Sequence, residues 1–352
     1  MEVIKISSVK KTLRRKWENI ILKSDNTLFE NKDVYQLIEW PEETKFIVYG
    51  IRGDILIYQD GNIILSKDIS QDLKTVYLSH YKLTPNEFLS VNITFAEIIK
   101  KSKNDVYLLL LTSVRKYSDD SQYPSTSMQF LTKVDLDDLS ILSYIKCTKK
   151  LSSNITFSHK NNLLIAKQND SRNVSIYNEL NFKKIENTWL FFNNQSFIDD
   201  EQNLVISLSN ENVISSWDLN NLEVKKDLLY NIDNGVIQKF TYCEKNKYIA
   251  YTTFNSKSIS ICNQSEVYKI ELESFGVYDK FSFSSEGNLI IIFGSSYIHI
   301  FDLFERKSIL HFEYQDFGST ITDVLLLKQS KTMIIITFNS IIREIDLSEY
   351  LI

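Results

Sequence analysis

The residues of this chain best suited to chemistry are basic. Lys10, Lys11, Arg14, Arg15 and Lys16 fall within seven positions near the N-terminus. Clustered cations attract phosphate oxygens and acidic surfaces. These five are therefore candidate contacts for RNA, for an acidic partner protein or for a nuclear import receptor. The competing reading is a solubilising segment, or one that folds back on the rest of the chain. Residues 1–23 hold seven Lys/Arg and two Glu, a net charge of +5, whereas the whole chain carries −5. The body, residues 24–352, is thus acidic, which argues against broad phosphate-backbone binding over its surface. A second candidate contact set, Arg115, Lys116, Tyr117 and Tyr123, lies in the polar, Pro-containing stretch 115–127.

Other chemistries lack their signatures. Nucleophilic catalysis needs a nucleophile, a base and an orienting group in one place, and no Gly-x-Ser-x-Gly element occurs. Of the four His, His299 and His311 lie in strand-like alternation and read as surface or inter-blade residues. No His-x-x-x-His, Cys-x-x-Cys or EF-hand spacing offers a metal site. Cys147, Cys243 and Cys262 are an odd, sparse set that suits reduced core thiols in the cytosol or nucleus. Asp119-Asp120 and Asp199-Asp200-Glu201 read as solvated loop charge. The expectation is a non-enzyme with no cofactor and no small-molecule substrate. The first residues lack the apolar core of a signal peptide. The longest apolar runs, such as Val106 to Thr112, are too short to span a bilayer. A nuclear or cytoplasmic location without membrane contact is expected.

The elements that would carry these residues repeat. A hydrophobic strand ending in a short acidic or amide turn recurs at Val134-Asp135, Tyr177-Asn178, Trp217-Asp218, Cys262-Asn263, Phe301-Asp302 and Ile345-Asp346. A period near 40 residues with several strands per unit marks a β-propeller. In the clearest unit, 277–314, Leu289–Phe293 is a continuous apolar run, as a strand buried on both faces requires. Alternating stretches follow at Tyr297–Asp302 and Lys307–Glu313. The same grammar gives blades over 34–70, 88–147, 155–189, 191–230, 235–272, 277–314 and 321–352. Asp135, Asn178, Trp217, Asp218, Asn263, Asp302 and Asp346 are assigned structural turn and packing roles, because Asp and Asn side chains bond their own backbone at tight turns.

Three segments depart from the repeat. Residues 115–127 read as an insertion loop projecting from one face. Residues 71–87 form an irregular connection in which Thr75–Tyr81 suits an extra strand, or a degenerate eighth blade. The last unit supplies three strands, and an open edge invites aggregation. Residues 17–24 resemble 60–67, the fourth strand of the first blade, so they are expected to complete the last blade and close the ring. Residues 1–16 then form a basic tail or a short helix, since Val9, Leu13 and Trp17 fall at helical spacing.

The pattern over 17–352 resembles the WD40-repeat family. Ser215-Ser216-Trp217-Asp218-Leu219 is the best match, with Ile300-Phe301-Asp302-Leu303 and Glu344-Ile345-Asp346-Leu347 as looser copies. The family's Gly-His dipeptide is absent, so its His–Asp network does not carry over. The resemblance implies an all-β, seven-bladed propeller serving as a non-catalytic scaffold for protein partners in a multiprotein complex. The alternative is an RNA-associated subunit whose basic tail contacts nucleic acid while the propeller grips a protein. No recurring inward-facing ionisable residue is expected on the repeats. A phosphoinositide-binding propeller is disfavoured, because Leu13-Arg14-Arg15 is followed by Lys16 rather than Gly.

Overall fold

A computed structural model describes residues 2–5, 22–27, 35–40, 44–81, 89–102, 105–117, 124–169, 174–178, 183–188, 196–208, 214–220, 224–225, 236–263, 266–272, 279–284, 286–313, 319–327 and 331–348. The described chain forms seven small sheets arranged as a seven-bladed β-propeller. Five are built only from consecutive antiparallel strands, as in Lys280–Phe283, Leu289–Phe293, Tyr297–Asp302 and Lys307–Glu313 of blade 6, and blade 5 has four such strands plus one from the N-terminal end. The first strands line the centre. Tyr35–Glu39 touches both Ile321–Leu327 and Leu89–Ser102, and Leu151–Ser158 touches Leu89–Ser102 and Ser196–Asp199.

The apolar second strands explain the ring. Successive side chains of a strand point to opposite faces. Leu289, Ile291 and Phe293 therefore pack with Met333 and Ile335 of blade 7, while Ile290 and Ile292 pack with Ala250 and Ile259 of blade 5. Every blade interface has such a cluster. The last joins Ile334, Ile336 and Ile342 of blade 7 to Phe46, Val48 and Tyr58 of blade 1. A strand alternating between two buried interfaces must be apolar throughout, which is the signal carried by the sequence.

Strands 1–2 and 3–4 of each blade turn on one side of the disc, here face A. Strands 2–3 turn on the opposite side, face B, which also carries the links between blades.

The chain ends meet in blade 7, with different bounds from those expected. Leu22–Thr27, rather than 17–24, pairs antiparallel with Ile341–Asp346, from Leu22↔Ile345 to Thr27↔Ile341. Residues 17–21 lie outside the described residues. Inner strands seal the same junction, because Leu37 N of blade 1 donates to Asp323 Oδ2 of blade 7 at 3.0 Å. Glu2–Lys5 is neither free tail nor helix. It adds parallel to Val267–Glu271 as a fifth strand on the outer edge of blade 5.

Two further expectations are corrected. Ser70–Tyr81 is an α-helix (α1), not an extra strand or degenerate blade. Asp68 Oδ1 accepts the Ser70 N–H at 2.8 Å before its first turn, and Ile69, Leu73 and Tyr77, at intervals of four, are buried between blades 1 and 2. Helical periodicity outweighs the β-prone run Thr75-Val76-Tyr77. The second correction concerns 115–127. Strands Asp105–Tyr117 and Pro124–Asp135 continue into this stretch as a long hairpin, with Arg115↔Ser127 and Lys116↔Thr126 paired. Leu89 and Ser90 extend the ribbon by pairing with Lys116 and Arg115. Polar composition here is compatible with both a loop and a backbone-paired strand ribbon. Blade 3 begins at Leu151, four residues earlier than read, with a bulge between Leu151 and Ile155.

Candidate interaction surface

Face A is tied blade to blade by its own polar groups. Asp200 of blade 4 accepts from Ser158 Oγ at 2.5 Å, His159 N at 2.8 Å and Lys160 N at 3.3 Å, all of blade 3. Asp199 is buried and accepts from Lys247 Nζ at 2.8 Å and Tyr242 OH at 2.6 Å, both of blade 5. Lys247 is drawn in two directions: burial disfavours its charge, while the Asp199 and Glu201 carboxylates favour it and prevail, so its pKa is raised. Lys245 reaches Glu286 of blade 6, and Arg306 of blade 6 returns to Glu266 of blade 5 while its guanidinium lies 4.9 Å from the Tyr268 ring centroid. Gly287 sits in this array with φ 70°. A Cβ there would collide with Cys243 and Asn246 of the neighbouring turn.

The recurrent turn residues lie on the same face. Asp135, Asp218, Asp302 and Asp346 each accept a backbone N–H two residues on, from Asp137, Asn220, Phe304 and Ser348. Asn263 Oδ1 accepts from Glu266 N. Asn178 ends a third strand opposite Lys183. Trp217 is buried with Nε1 bonded to Ser207 Oγ at 2.8 Å.

Face B is built differently. The tetrapeptide Thr-Phe-Asn-Ser occurs as 253–256 in blade 5 and again as 337–340 in blade 7, joining strands 2 and 3 both times. The two copies share their backbone bonds but differ in backbone path, since the left-handed residue is Asn255 in one and Ser340 in the other. Ser256 N bonds Thr253 O at 3.0 Å, and Ser340 N bonds Thr337 O at 2.9 Å. Phe254 N bonds Val236 O at 2.8 Å and Phe338 N bonds Thr320 O at 2.7 Å, each anchoring the turn to the link entering its own blade. Both rings point outward: Phe254 is 63% exposed, Phe338 50%, and Val236 beside Phe254 69%. The turn between them, on blade 6, carries only the exposed Ser295 and Ser296. Exposed cations share this face: Arg115 on the hairpin, Lys149 and Lys150 after blade 2, Lys257 beside Phe254, and Lys280 at the mouth of the central opening. Sequence reading missed the phenylalanines; the literal repeat two units apart was the available signal.

The expected contact residues are divided by the structure. Arg115 is exposed near the end of the hairpin on face B, with Lys116 and Tyr117 following it in the strand. Lys10, Lys11, Arg14, Arg15, Lys16 and Tyr123 lie outside the described residues.

The inner strands carry single ionisable groups of differing type on blades 2, 5, 6 and 7. Lys239 Nζ of blade 5 donates to Asp279 O at 2.8 Å, and Lys280 Nζ of blade 6 to Thr322 O at 3.3 Å, each clasping the next blade. Burial raises the Asp323 carboxyl, with Lys280 and backbone donors opposing. Glu97 on the inner strand of blade 2 lies opposite Leu109, between Phe95 and Ile99, on the face packed against blade 3. Burial alone pushes its pKa from 4.5 to about 7. His299 and His311 are opposed across strands in blade 6, both buried, with ring centroids 3.9 Å apart. Among the described residues, no group of three or more His, Cys, Asp or Glu could hold a metal ion. No described helix is long and apolar enough to cross a membrane.

No protein-family model matches the chain, and no curated protein matches it.

Proposed function

We propose that this propeller is a non-catalytic interaction scaffold of an intracellular, nuclear or cytoplasmic, multiprotein complex. A propeller is a rigid platform whose loops and turns are free to carry recognition. The observation that supports this reading best is the contrast between the two faces. Face A ties neighbouring blades through charged side chains and shows one exposed phenylalanine among the described residues, Phe304, whereas face B holds two, Phe254 and Phe338, on hydrogen-bonded turns. Exposed aromatic groups on a rigid frame suit protein recognition, where aromatic anchors dominate binding energy.

The basic segment Lys10–Lys16 favours a second reading, an RNA-associated subunit in which these cations contact phosphates. Salt separates the two, since phosphate contacts weaken steeply as salt rises. The test is purification of the tagged full chain from native extract with and without nuclease, followed by mass spectrometry. Stoichiometric protein partners retained after nuclease support the scaffold reading. Recovery that collapses with nuclease supports the RNA reading, and a chain recovered alone refutes both.

A further inference from the structure

We propose that the outer edge of blade 5 is a strand-docking site for an extended aliphatic-basic segment of a partner protein, and that Glu2–Lys5 is its internal occupant, which such a segment displaces. The inference rests on the scaffold reading and assigns it a surface on the rim and a partner chemistry. Three observations carry it.

The first is that the strand is surplus to the ring. Among the described residues, blades 1, 2, 3, 4 and 6 end at their fourth strand, and blade 7 gains its fourth from Leu22–Thr27. Glu2–Lys5 completes no blade. It lies on one that already has four strands, two blades along the ring from Leu22–Thr27, with residues 6–21 between them in sequence. The chain thus delivers a short segment to this edge as a tethered peptide. Four parallel pairs hold it, from Glu2↔Tyr268 to Lys5↔Glu271, and parallel pairing is slightly the weaker kind per residue.

The second is the direction of the edge's backbone groups. Leu272 N bonds Lys257 O at 3.1 Å, and Asn263 N bonds Glu266 O at 3.1 Å. These bonds set the phase of the ladder between Val267–Glu271 and Ser258–Cys262, so Tyr268 and Ile270 direct their N–H and C=O to the inner neighbour. Val267, Lys269 and Glu271 alternate with them and turn theirs to the rim. An added strand bonds to these groups, and main-chain bonding of this kind gives affinity while alternate side chains give specificity. Tyr268 and Ile270 are buried against blade 6, whereas Val267 is 40% exposed and Glu271 is exposed. The side chains placed to select a sequence are therefore Val267, Lys269 and Glu271.

The third is register. Val3 falls opposite Lys269, Ile4 opposite Ile270 and Lys5 opposite Glu271. The seated segment thus defines the pattern the edge takes: two β-branched residues, suited to a strand, then a cation at the level of an exposed carboxylate. Exposed Lys257, bonded through its carbonyl to Leu272 N, stands near that carboxylate as a second cation, and an exposed ion pair contributes little. Charge therefore sets the register, and the backbone supplies most of the affinity.

The test uses the full chain and a fluorescein-labelled peptide, MEVIKISS, read by fluorescence polarisation. V3P/I4P keeps the chain whole but stops Glu2–Lys5 from pairing. Saturable binding to V3P/I4P is expected. It should be about tenfold weaker in the wild-type chain, because a tethered occupant at an effective concentration of about 1 mM competes with a peptide of Kd about 100 μM. K269P, added to V3P/I4P, removes a rim-facing N–H without touching the inner ladder, and binding should fall about tenfold or more. The peptide MEVIEISS should bind V3P/I4P more weakly than MEVIKISS, and E271K added to V3P/I4P should reverse that order. Comparisons are made between chains of equal melting temperature, and if K269P lowers it, the charge exchange at Glu271 decides alone. Absence of saturable binding to V3P/I4P up to about 1 mM, binding that K269P leaves equal, or a peptide order that E271K leaves unchanged overturns the proposal. Equal binding to wild type and V3P/I4P overturns Glu2–Lys5 as the occupant. Sedimentation in which the wild-type chain dimerises and K269P does not also overturns it, by making a second copy the partner. Failure here with an intact native complex sinks only this edge, whereas a chain recovered without partners sinks the scaffold reading itself.

Discussion

Glu97 makes the packing account quantitative. Its carboxyl is set on the inner strand of blade 2 between Phe95 and Ile99, facing the apolar interface with blade 3. Burial raises its pKa from 4.5 to about 7. Below pH 4.5 the group is neutral in both the folded and the unfolded chain, and its contribution is fully present. As pH rises, the unfolded chain ionises first while the folded chain holds its proton, so stability falls until the folded group also ionises near pH 7. A difference of about 2.5 pKa values at about 1.36 kcal/mol each gives a loss of ~3 kcal/mol. Glu97 retains some contact with solvent, which makes this an upper value. Glu97→Gln keeps the shape and removes the ionisation. The variant should match wild type near pH 4.5 and exceed it by up to ~3 kcal/mol at pH 8.5. For a chain of this length that corresponds to about 4 °C in melting temperature. Scanning calorimetry at pH 4.5, 6 and 8.5 reads the effect. A difference between variant and wild type that does not change with pH, or a variant less stable at pH 8.5, refutes the placement of this carboxyl in an apolar interface.

Other consequences follow from named contacts. Deleting residues 1–27 removes the strand paired with Ile341–Asp346 and leaves an open edge; concentration-dependent aggregation by light scattering is expected, and a monomeric, wild-type-stable product would refute the closure. Tyr77→Phe removes a hydroxyl bonded to Thr112 Oγ1 at 2.5 Å and Thr132 Oγ1 at 3.0 Å. A cost of about 1–2 kcal/mol in urea titration is expected, and no change would show that α1 is not anchored there. Gly287→Ala combines positive φ with collision against Cys243 and Asn246; a loss of about 1–3 kcal/mol is expected, and a neutral outcome would contradict the turn-to-turn packing of blades 5 and 6.

The fold was legible where one residue pattern admits one environment. The unbroken run Leu289–Phe293 is buried on both faces because alternate side chains enter different blade interfaces, and its bounds were read directly from the sequence. Thr75–Tyr81 was misread because β-branched and aromatic residues are common to strands and to buried helix faces; the spacing of Ile69, Leu73 and Tyr77 held the answer. The 115–127 hairpin was misread because polar composition alone does not separate a strand pair from a loop. Surface function was less legible still. Phe254 and Phe338 are 84 residues apart and are brought onto one face only by the ring. Glu97 appears as an ordinary polar residue until blade 3 covers it.

The claim that face B binds while face A holds the ring together is tested most directly by comparing two face variants of the tagged full chain. F254S/F338S alters only face B. D137K/E305K inverts two exposed carboxylates of face A that make no blade-to-blade tie in the contacts described above. Native complexes captured by each are quantified against wild type by isotope-labelled mass spectrometry. The account predicts loss of the major partner with F254S/F338S and its retention with D137K/E305K. The reverse pattern, or retention with both, contradicts it.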